Sequence, residues 1–174
     1  MHDAPLRLFF GLACPPGQAR EIAAWRDSLP IHGRSIPPAD LHLTLAFLGQ
    51  QPQALLPQLL RIGDTLHAPA FEVHLDRVQQ WSGVLVLVPS QPADGLLHLQ
   101  AQLAERLLAA GLPGETRPFR PHLTLLHHAH ADRLPSPPPI AWTARRWGLF
   151  SSHPGAQPRY RLLASWSLSA PTPH

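Results

Sequence analysis

The tetrapeptide His-Leu-Thr-Leu occurs twice in this chain, as His42-Leu43-Thr44-Leu45 and as His122-Leu123-Thr124-Leu125. The separation of the two copies is close to half of the 174-residue chain. A motif repeated at such a distance indicates an internal duplication, with one copy in each half. Each half also offers strands and a long helix.

Both copies of the motif have the composition of a β-strand, in which successive side chains point to opposite faces. The first copy therefore places His42 and Thr44 on one face, and the second copy places His122 and Thr124 together in the same way. The residues expected on the opposite, core-facing sides are all apolar: Leu41, Leu43, Leu45, Phe47, Leu123 and Leu125. Each copy thus presents an imidazole beside a hydroxyl.

Patterns on either side of the motifs predict further strands and helices. The expected strands cover residues 7–13, 41–48, 71–75, 84–88, 121–126, 141–151 and 159–168, with Gly49 ending the second and Gly83 forming a hairpin turn before the fourth. The expected helices cover residues 15–29, 53–66 and 94–110, and Gly111 closes the last of them. Strands outnumber helices and several neighbours resemble hairpins, which predicts an α+β fold with largely antiparallel sheets.

Length and composition predict a single domain over residues 1–174. Hydrophobic residues make up 44%, yet no apolar run is long enough to span a bilayer and no signal pattern opens the chain. We therefore expect a soluble, cytoplasmic protein without membrane contact, and a monomer because no heptad pattern is present. Cys14 is the single cysteine, so it forms no intramolecular disulfide and supplies no thiolate zinc site.

Arginine accounts for all 14 basic residues, against 11 carboxylates, and the net charge is +3 before any of the 12 histidines is protonated. Arginine recognises phosphate through paired hydrogen bonds, so an anionic partner is consistent with this balance. A lysine-free, proline-rich chain is equally typical of a GC-rich genome. The charge balance alone therefore indicates a partner class only weakly.

Two motif strands placed side by side would bring two imidazoles and two hydroxyls into one groove, which suits a phosphodiester. In-line cleavage needs a base that takes a proton from water and an acid that protonates the leaving oxygen, and imidazole can do both near neutrality. Threonine hydroxyls can donate hydrogen bonds to the non-bridging oxygens in the transition state. This scheme requires no metal and no cofactor.

A metal-dependent site is the alternative, but it would need several converging carboxylates, and the acids of this chain are few and scattered. His127, His128 and His130 offer another cluster of metal-binding type. A histidine-rich loop without nearby acids or thiolates is more typical of a solvated segment.

The motifs and their surroundings resemble the two-histidine phosphoesterases, in particular the bacterial and archaeal RNA 2',3'-cyclic phosphodiesterases, also called 2'-5' RNA ligases. The resemblance covers nearly the whole chain. It rests on Arg7-Leu8-Phe9-Phe10-Gly11-Leu12, on Leu41-His42-Leu43-Thr44-Leu45-Ala46-Phe47-Leu48-Gly49, on Phe119-Arg120-Pro121-His122-Leu123-Thr124-Leu125, on Leu149-Phe150-Ser151-Ser152 and on Tyr160-Arg161-Leu162-Leu163.

The resemblance implies two pseudo-symmetric lobes of antiparallel sheet and helices around a central cleft that holds both motifs. It implies hydrolysis of a terminal 2',3'-cyclic phosphate of RNA, such as a tRNA fragment, to a 2'-phosphate. His42 would donate a proton to the leaving 3' oxygen, and His122 would accept a proton from water. Thr44 and Thr124 would bind the phosphate.

One feature departs from the family pattern. Many relatives carry an arginine shortly after the second motif, whereas this chain has Leu126-His127-His128. Arg120, Arg34 or Arg7 could supply the missing charge, and Phe9 or an exposed tryptophan could stack against a base, although the five tryptophans are more typical of a core. The alternatives left open are 2'-5' ligation or 2'-5' linkage cleavage, opening of a small cyclic nucleotide, and a non-catalytic module that binds RNA ends.

Overall fold

A computed structural model describes residues 4–112 and 117–170 of the chain. The α-helices are Pro16–Asp27 (α1), Leu56–Thr65 (α2) and Asp94–Ala109 (α3). The strands are Leu6–Ala13 (β1), Arg34–Ser35 (β2), His42–Gln51 (β3), Phe71–Leu75 (β4), Arg77–Trp81 (β5), Val84–Val88 (β6), Leu123–His127 (β7), Ile140–Ala144 (β8), Arg146–Ser152 (β9) and Tyr160–Ser167 (β10).

The strands form one large sheet and one small sheet. The large sheet has the order β10-β9-β1-β3-β7-β6-β5, with β2 paired beside β7, and every one of these pairings is antiparallel. Strands β4 and β8 pair with each other in the second sheet. The predicted α+β class with antiparallel sheets is therefore confirmed.

The two motif strands are neighbours at the centre of the large sheet. Strands β3 and β7 meet at the pair Leu43 and Leu123, which is the one ladder pair between them in the described residues. On one side of this pair the chain runs β1-α1-β3, and on the other side it runs β6-α3-β7, so a strand, a helix and an antiparallel partner strand repeat. The sheets of the two halves are thus continuous through the motifs.

Strand β3 differs from the sequence prediction in where it ends and in which of its side chains face the core. It does not stop at Gly49 but continues to Gln51, because Gly49 adopts a φ of 70° within a bulge of the β1–β3 ladder. A second bulge of this ladder, at Leu45, shifts the alternation of side chains by one residue before Phe47. Leu48 is therefore buried, while Phe47, which was expected in the core, is 46% exposed and lies under the guanidinium of Arg7.

The predicted strand over residues 141–151 is two strands in two different sheets. It breaks at Arg145, whose carbonyl accepts a hydrogen bond from the backbone N–H of Leu168, and β8 on one side pairs with β4 while β9 on the other pairs with β1. The hairpin turn at Gly83 is confirmed, but it joins β6 to β5, a strand that the sequence did not reveal.

The core lies on the face of the large sheet opposite to the motif side chains. Phe10 contacts the rings of Trp147 and Trp166 there, and Trp166 packs against Gly63 of α2. The buried Arg26 of α1 donates hydrogen bonds to the carbonyls of Ile36 and Leu125, so a helix of the first half supports the second motif strand. Among the described residues, no helix is long and apolar enough to cross a membrane.

Candidate active site

His42 is held at the start of β3 by two hydrogen bonds. Its Nδ1 donates to the backbone carbonyl of Asp40 at 2.8 Å, and its Nε2 lies 3.1 Å from the Thr44 hydroxyl. The short 3₁₀ turn Pro38–Asp40 precedes it and presents that carbonyl to the ring. The strand alternation predicted for His42 and Thr44 is therefore correct, because the two side chains touch.

His122 is held just before β7 in the same manner. Its Nδ1 donates to the backbone carbonyl of Arg120 at 2.8 Å. Like its counterpart, this carbonyl belongs to the residue two positions before the histidine. Because a carbonyl oxygen only accepts hydrogen bonds, Nδ1 carries the hydrogen in both rings, and Nε2 is the nitrogen free to gain or lose a proton.

Burial lowers the pKa of His42 below its ordinary value of 6.5. The hydrogen bond to the Asp40 carbonyl acts in the opposite direction, and the charge of His122 lowers the pKa further. Burial also lowers the pKa of His122, the hydrogen bond to the Arg120 carbonyl opposes it, and the positive charge of Arg120 adds to the lowering. Both imidazoles therefore favour the neutral form in the free protein.

The motif threonines are brought toward the opposite histidines by the strand pairing. In an antiparallel pair with Leu43 facing Leu123, His42 lies on the side of Thr124, and Thr44 lies on the side of His122. All four side chains project from the face opposite to the buried leucines. The pairing thus collects two imidazoles and two hydroxyls, as the repeated motif predicts, although their roles stay a prediction.

Each histidine packs against an aromatic ring that also contacts an arginine. The ring of His122 lies 4.5 Å from that of Trp81, and the guanidinium of Arg120 lies 4.0 Å from the Trp81 ring centroid. On the other side, His42 meets the edge of Tyr160 at 4.8 Å, and the guanidinium of Arg159 lies 5.9 Å from the Tyr160 ring. In each half, an aromatic ring therefore lies between a motif histidine and an arginine guanidinium.

Phe9 does not offer a stacking surface for a base. It is only 3% exposed, and its ring lies 4.8 Å from His42 and 5.1 Å from both Phe150 and Tyr160. Phe9 therefore packs against the imidazole of His42 from the interior of the protein. This corrects the expectation from the sequence, which did not show that Tyr160 would cover the ring.

The arginines considered as substitutes for the missing family arginine lie in different places. Arg120 covers Trp81, Arg7 lies 5.1 Å from the Phe47 ring centroid, and Arg34 pairs with His127 where β2 meets β7. Arg159 was not among the expected residues. Its backbone N–H donates to the carboxylate of Asp40 at 3.1 Å, which connects it to the turn that holds His42.

The other candidates of the sequence do not form a site of their own. Cys14 is buried, and burial raises the pKa of its thiol to about 12, so the thiol remains protonated. His130 contacts Asp132 on the surface, and the rings of His127 and His128 lie 6.4 Å apart. Within residues 4–112 and 117–170, no three His, Cys, Asp or Glu side chains are grouped so that they could hold a metal ion.

Sequence reasoning missed Trp81, Tyr160, Arg159 and Asp40. Tyr160 had a signal in the sequence, since it is the single tyrosine of the chain and stands between two arginines. Trp81 and Asp40 had none, because their importance arises from contacts with residues distant in sequence or from a turn that the sequence does not specify.

Comparison with known proteins gives concordant matches. The profile of the 2'-5' RNA ligase superfamily matches residues 14–155. The chain is 34% identical over 172 residues to the RNA 2',3'-cyclic phosphodiesterase of Escherichia coli (strain K12), which covers 95% of this chain and 98% of that protein. It is also 34% identical over 145 residues to a Thermus thermophilus protein of the same name, covering 75% of this chain and 73% of that protein.

Solved structures agree with these matches. The crystal structure of E. coli LigT complexed with 3'-AMP superposes with a TM-score of 0.88 at 33% identity, covering 94% of this chain and 98% of that one. A crystal structure from Thermus thermophilus superposes with a TM-score of 0.76 at 27% identity, covering 94% of this chain and 98% of that one. The similarity thus extends over nearly the whole fold described above.

Proposed function

Because the chain belongs to the 2'-5' RNA ligase superfamily, we propose that it is an enzyme that hydrolyses RNA 2',3'-cyclic phosphate ends to 2'-phosphates. The observation that carries the proposal is the matched pair of imidazoles at the centre of the sheet. Each has Nδ1 fixed on a carbonyl and Nε2 available for proton transfer. The names of the curated relatives, all RNA 2',3'-cyclic phosphodiesterases, supply the substrate class.

His122 acts as the general base. Its lowered pKa keeps Nε2 unprotonated near neutrality, so it can take a proton from the attacking water. The water oxygen forms a new bond to phosphorus, and the bond from phosphorus to the 3' oxygen breaks. The packing of His122 on Trp81 fixes the plane of the ring while this transfer takes place.

His42 acts as the general acid and gives its Nε2 proton to the leaving 3' oxygen. Its lowered pKa leaves it neutral in the free protein, so the protonated form must be stabilised when substrate binds. The negative charge of the cyclic phosphate supplies this stabilisation, because a nearby anion favours the imidazolium. Ligation in the reverse direction would exchange the roles of the two histidines.

Thr44 and Thr124 donate hydrogen bonds to the non-bridging phosphate oxygens. In the free protein, the Thr44 hydroxyl already lies on the cleft side of His42 at 3.1 Å from Nε2. Charge grows on the non-bridging oxygens as the fifth bond to phosphorus forms, and donors placed in advance stabilise it. Every proton transfer in this scheme is made by a side chain, so we propose that the reaction needs no metal or cofactor.

We propose further that the protein is a single duplicated domain. Residues 1–174 form one domain whose two lobes arose by duplication, which is supported by the repeated order strand, helix, motif strand on both sides of Leu43 and Leu123. We propose that the protein acts as a cytoplasmic monomer. Cytoplasmic RNA with a cyclic end, including tRNA fragments, would be its substrate.

The test uses purified protein and a short RNA that ends in a 2',3'-cyclic phosphate, with EDTA present throughout. Wild type should form the 2'-phosphate, and the His42→Ala and His122→Ala variants should each lose roughly 10²- to 10⁴-fold in rate. His98→Ala, which changes a histidine on α3, is the matched control and should retain full activity. Formation of a 3'-phosphate instead would show that the 2' oxygen leaves and would contradict the proposed cleavage of the bond to the 3' oxygen.

Two other outcomes identify the alternatives. Wild type that leaves this RNA intact but cleaves 2'-5' linked oligonucleotides or a small cyclic nucleotide would keep the mechanism and change the substrate. Wild type that binds the cyclic end without turnover, and still binds it after His122→Ala, would identify a binding module instead of an enzyme.

A further inference from the structure

Arg34 lies on the same face of the sheet as the second motif. In β6 and β7, Val86 pairs with Thr124 and Val84 pairs with His127, and a bulge in β7 accounts for the extra residue. Side chains that pair directly share a face, as do residues two apart in one strand. His127 therefore projects from the face of Thr124, and Arg34, which pairs with His127, projects beside it.

Arg159 reaches the same face from the other half. Gly11 pairs with Thr44, so Arg7, four residues earlier in β1, lies on the face of Thr44, and Arg7 pairs with Ser152. The Nε of Arg159 donates to the hydroxyl of Ser152 at 3.3 Å. The guanidinium of Arg159 is thereby fixed beside the cleft.

Arg34 and Arg159 both lie near the start of β3, because Arg34 pairs with His127 in the β2–β7 ladder and the backbone N–H of Arg159 donates to the carboxylate of Asp40, two residues before His42. Burial lowers the pKa of His127, and the positive charges of both arginines lower it further. Burial raises the pKa of Tyr160, and the same two arginines oppose that rise. Tyr160 in turn meets the edge of His42, so this region adjoins the first motif.

Neither arginine has an acidic partner in the described parts of the chain. The ion pairs found there are those of Arg26 with Asp27 and of His130 with Asp132. The carboxylate of Asp40 is close, but it accepts the backbone N–H of Arg159 and not its side chain. Two guanidinium groups on a cleft wall without a carboxylate are suited to an anion that comes from outside the protein.

From this placement we infer that Arg34 and Arg159 bind the RNA phosphate that precedes the cyclic phosphate, an inference that rests on the proposed function. The pair of Val84 and His127 is two residues along β6 from the pair of Val86 and Thr124, which is about 7 Å. Along the strands, Arg34 is therefore displaced by this distance from Thr124, whose hydroxyl binds the reacting phosphate in the proposed mechanism. The site would thus select an RNA chain over a mononucleotide.

The inference predicts a loss of preference for the longer substrate. Kinetics are compared for a trinucleotide that ends in a 2',3'-cyclic phosphate and for adenosine 2',3'-cyclic monophosphate, which has no preceding phosphate. Wild type should prefer the trinucleotide in kcat/KM. Arg34→Gln and Arg159→Gln should each reduce that preference about tenfold, mainly through KM, and should weaken its dependence on salt. The ratio of kcat/KM for the two substrates does not depend on what fraction of a variant is folded, because both values scale with the same concentration of active protein.

Arg61→Gln is the matched control, because Arg61 is exposed on α2, which packs against the opposite face of the sheet. It should leave the preference of wild type unchanged. Equal losses on both substrates would overturn the inference, since the arginines would then act on the reacting phosphate. A preference that the variants retain would also overturn it. Wild type that cleaves neither substrate would instead contradict the proposed function.

Discussion

His42 and His122 each donate the Nδ1 hydrogen to the backbone carbonyl of the residue two positions earlier, at 2.8 Å in both cases. The two imidazoles are therefore fixed in the same tautomer by the same local geometry. A general acid and a general base are usually distinguished by different partners. Here the two rings differ at Nε2, which in His42 lies 3.1 Å from the Thr44 hydroxyl, and in the rings around them, which are Phe9 and Tyr160 for His42 and Trp81 for His122.

The first prediction concerns the pH dependence of the reaction. In kcat/KM the base must be neutral and the acid must be protonated in the free enzyme. The rate therefore rises with pH through the pKa of His122 and falls through the pKa of His42, and both values lie below 6.5. We expect a bell-shaped profile with its maximum below pH 6.5.

Bound phosphate favours the protonated form of His42, so the alkaline limb of kcat should lie at higher pH than that of kcat/KM. Initial rates across the pH range at low and at saturating substrate measure both profiles. A maximum of kcat/KM above pH 6.5 would contradict the lowered pKa values of the two histidines.

The second prediction separates the hydroxyl of each threonine from its shape. Thr44→Val and Thr124→Val should each lower kcat by roughly 10²- to 10³-fold, because a donor to the growing phosphate charge is lost while the strand is preserved. Thr44→Ser and Thr124→Ser are the matched controls and should retain most of the activity. Valine variants as active as wild type would show that the threonines contribute only their β-branched shape to the strand and that their hydroxyls have no part in the reaction.

The third prediction concerns Arg120, which lies over Trp81 and lowers the pKa of His122. Removing its charge with Arg120→Gln should raise the pKa of His122, since the repulsion of the imidazolium disappears. The titration of the imidazole carbon-bound hydrogens followed by NMR measures this directly. Arg20→Gln, on an exposed position of α1, should leave that pKa unchanged. A fall in the pKa of His122 would contradict the electrostatic account.

The fourth prediction tests how closely β1 supports the first motif. A Cβ added at Gly11 would lie 2.7 Å from the carbonyl oxygen of Leu43, between the two functional residues of that motif. Gly11→Ala should therefore cost about 1–3 kcal/mol in the free energy of unfolding and should also reduce activity.

Gly17→Ala is the control for Gly11→Ala, since nothing lies within 4 Å of a Cβ at Gly17 in α1. It should leave the stability unchanged or raise it by up to about 1 kcal/mol, because alanine favours a helix. Chemical denaturation of both variants measures the difference. Equal stabilities would show that β1 and β3 can separate without cost.

Much of the fold could be predicted because its residues follow simple periods. The alternation along His42, Leu43 and Thr44 has a period of two, and it fixes which side chains face the cleft. The prediction failed at Phe47 because a bulge at Leu45 shifts the alternation by one residue, and leucine at that position does not mark a bulge. It failed again at Arg145, where the chain moves between sheets within a continuous strand-like run.

The surroundings of the site were less predictable than its centre. His42 and His122 stand out because the motif repeats. Tyr160 and Trp81 acquire their role from contacts with residues far away in sequence, and a single chain without relatives carries no record of such contacts. The expectation that Phe9 could stack against a base is wrong for the same reason, since only the fold shows that Tyr160 covers its ring.

The pairing of β9 and β10 with β1 has a consequence for the synthesis of this protein on the ribosome. The strand that carries Phe9 emerges near the beginning of translation, yet its neighbours on one side are the strands that carry Phe150 and Tyr160. A nascent chain that lacks them leaves His42 without its covering ring. The aromatic surroundings of His42 are therefore completed only after translation has passed Tyr160.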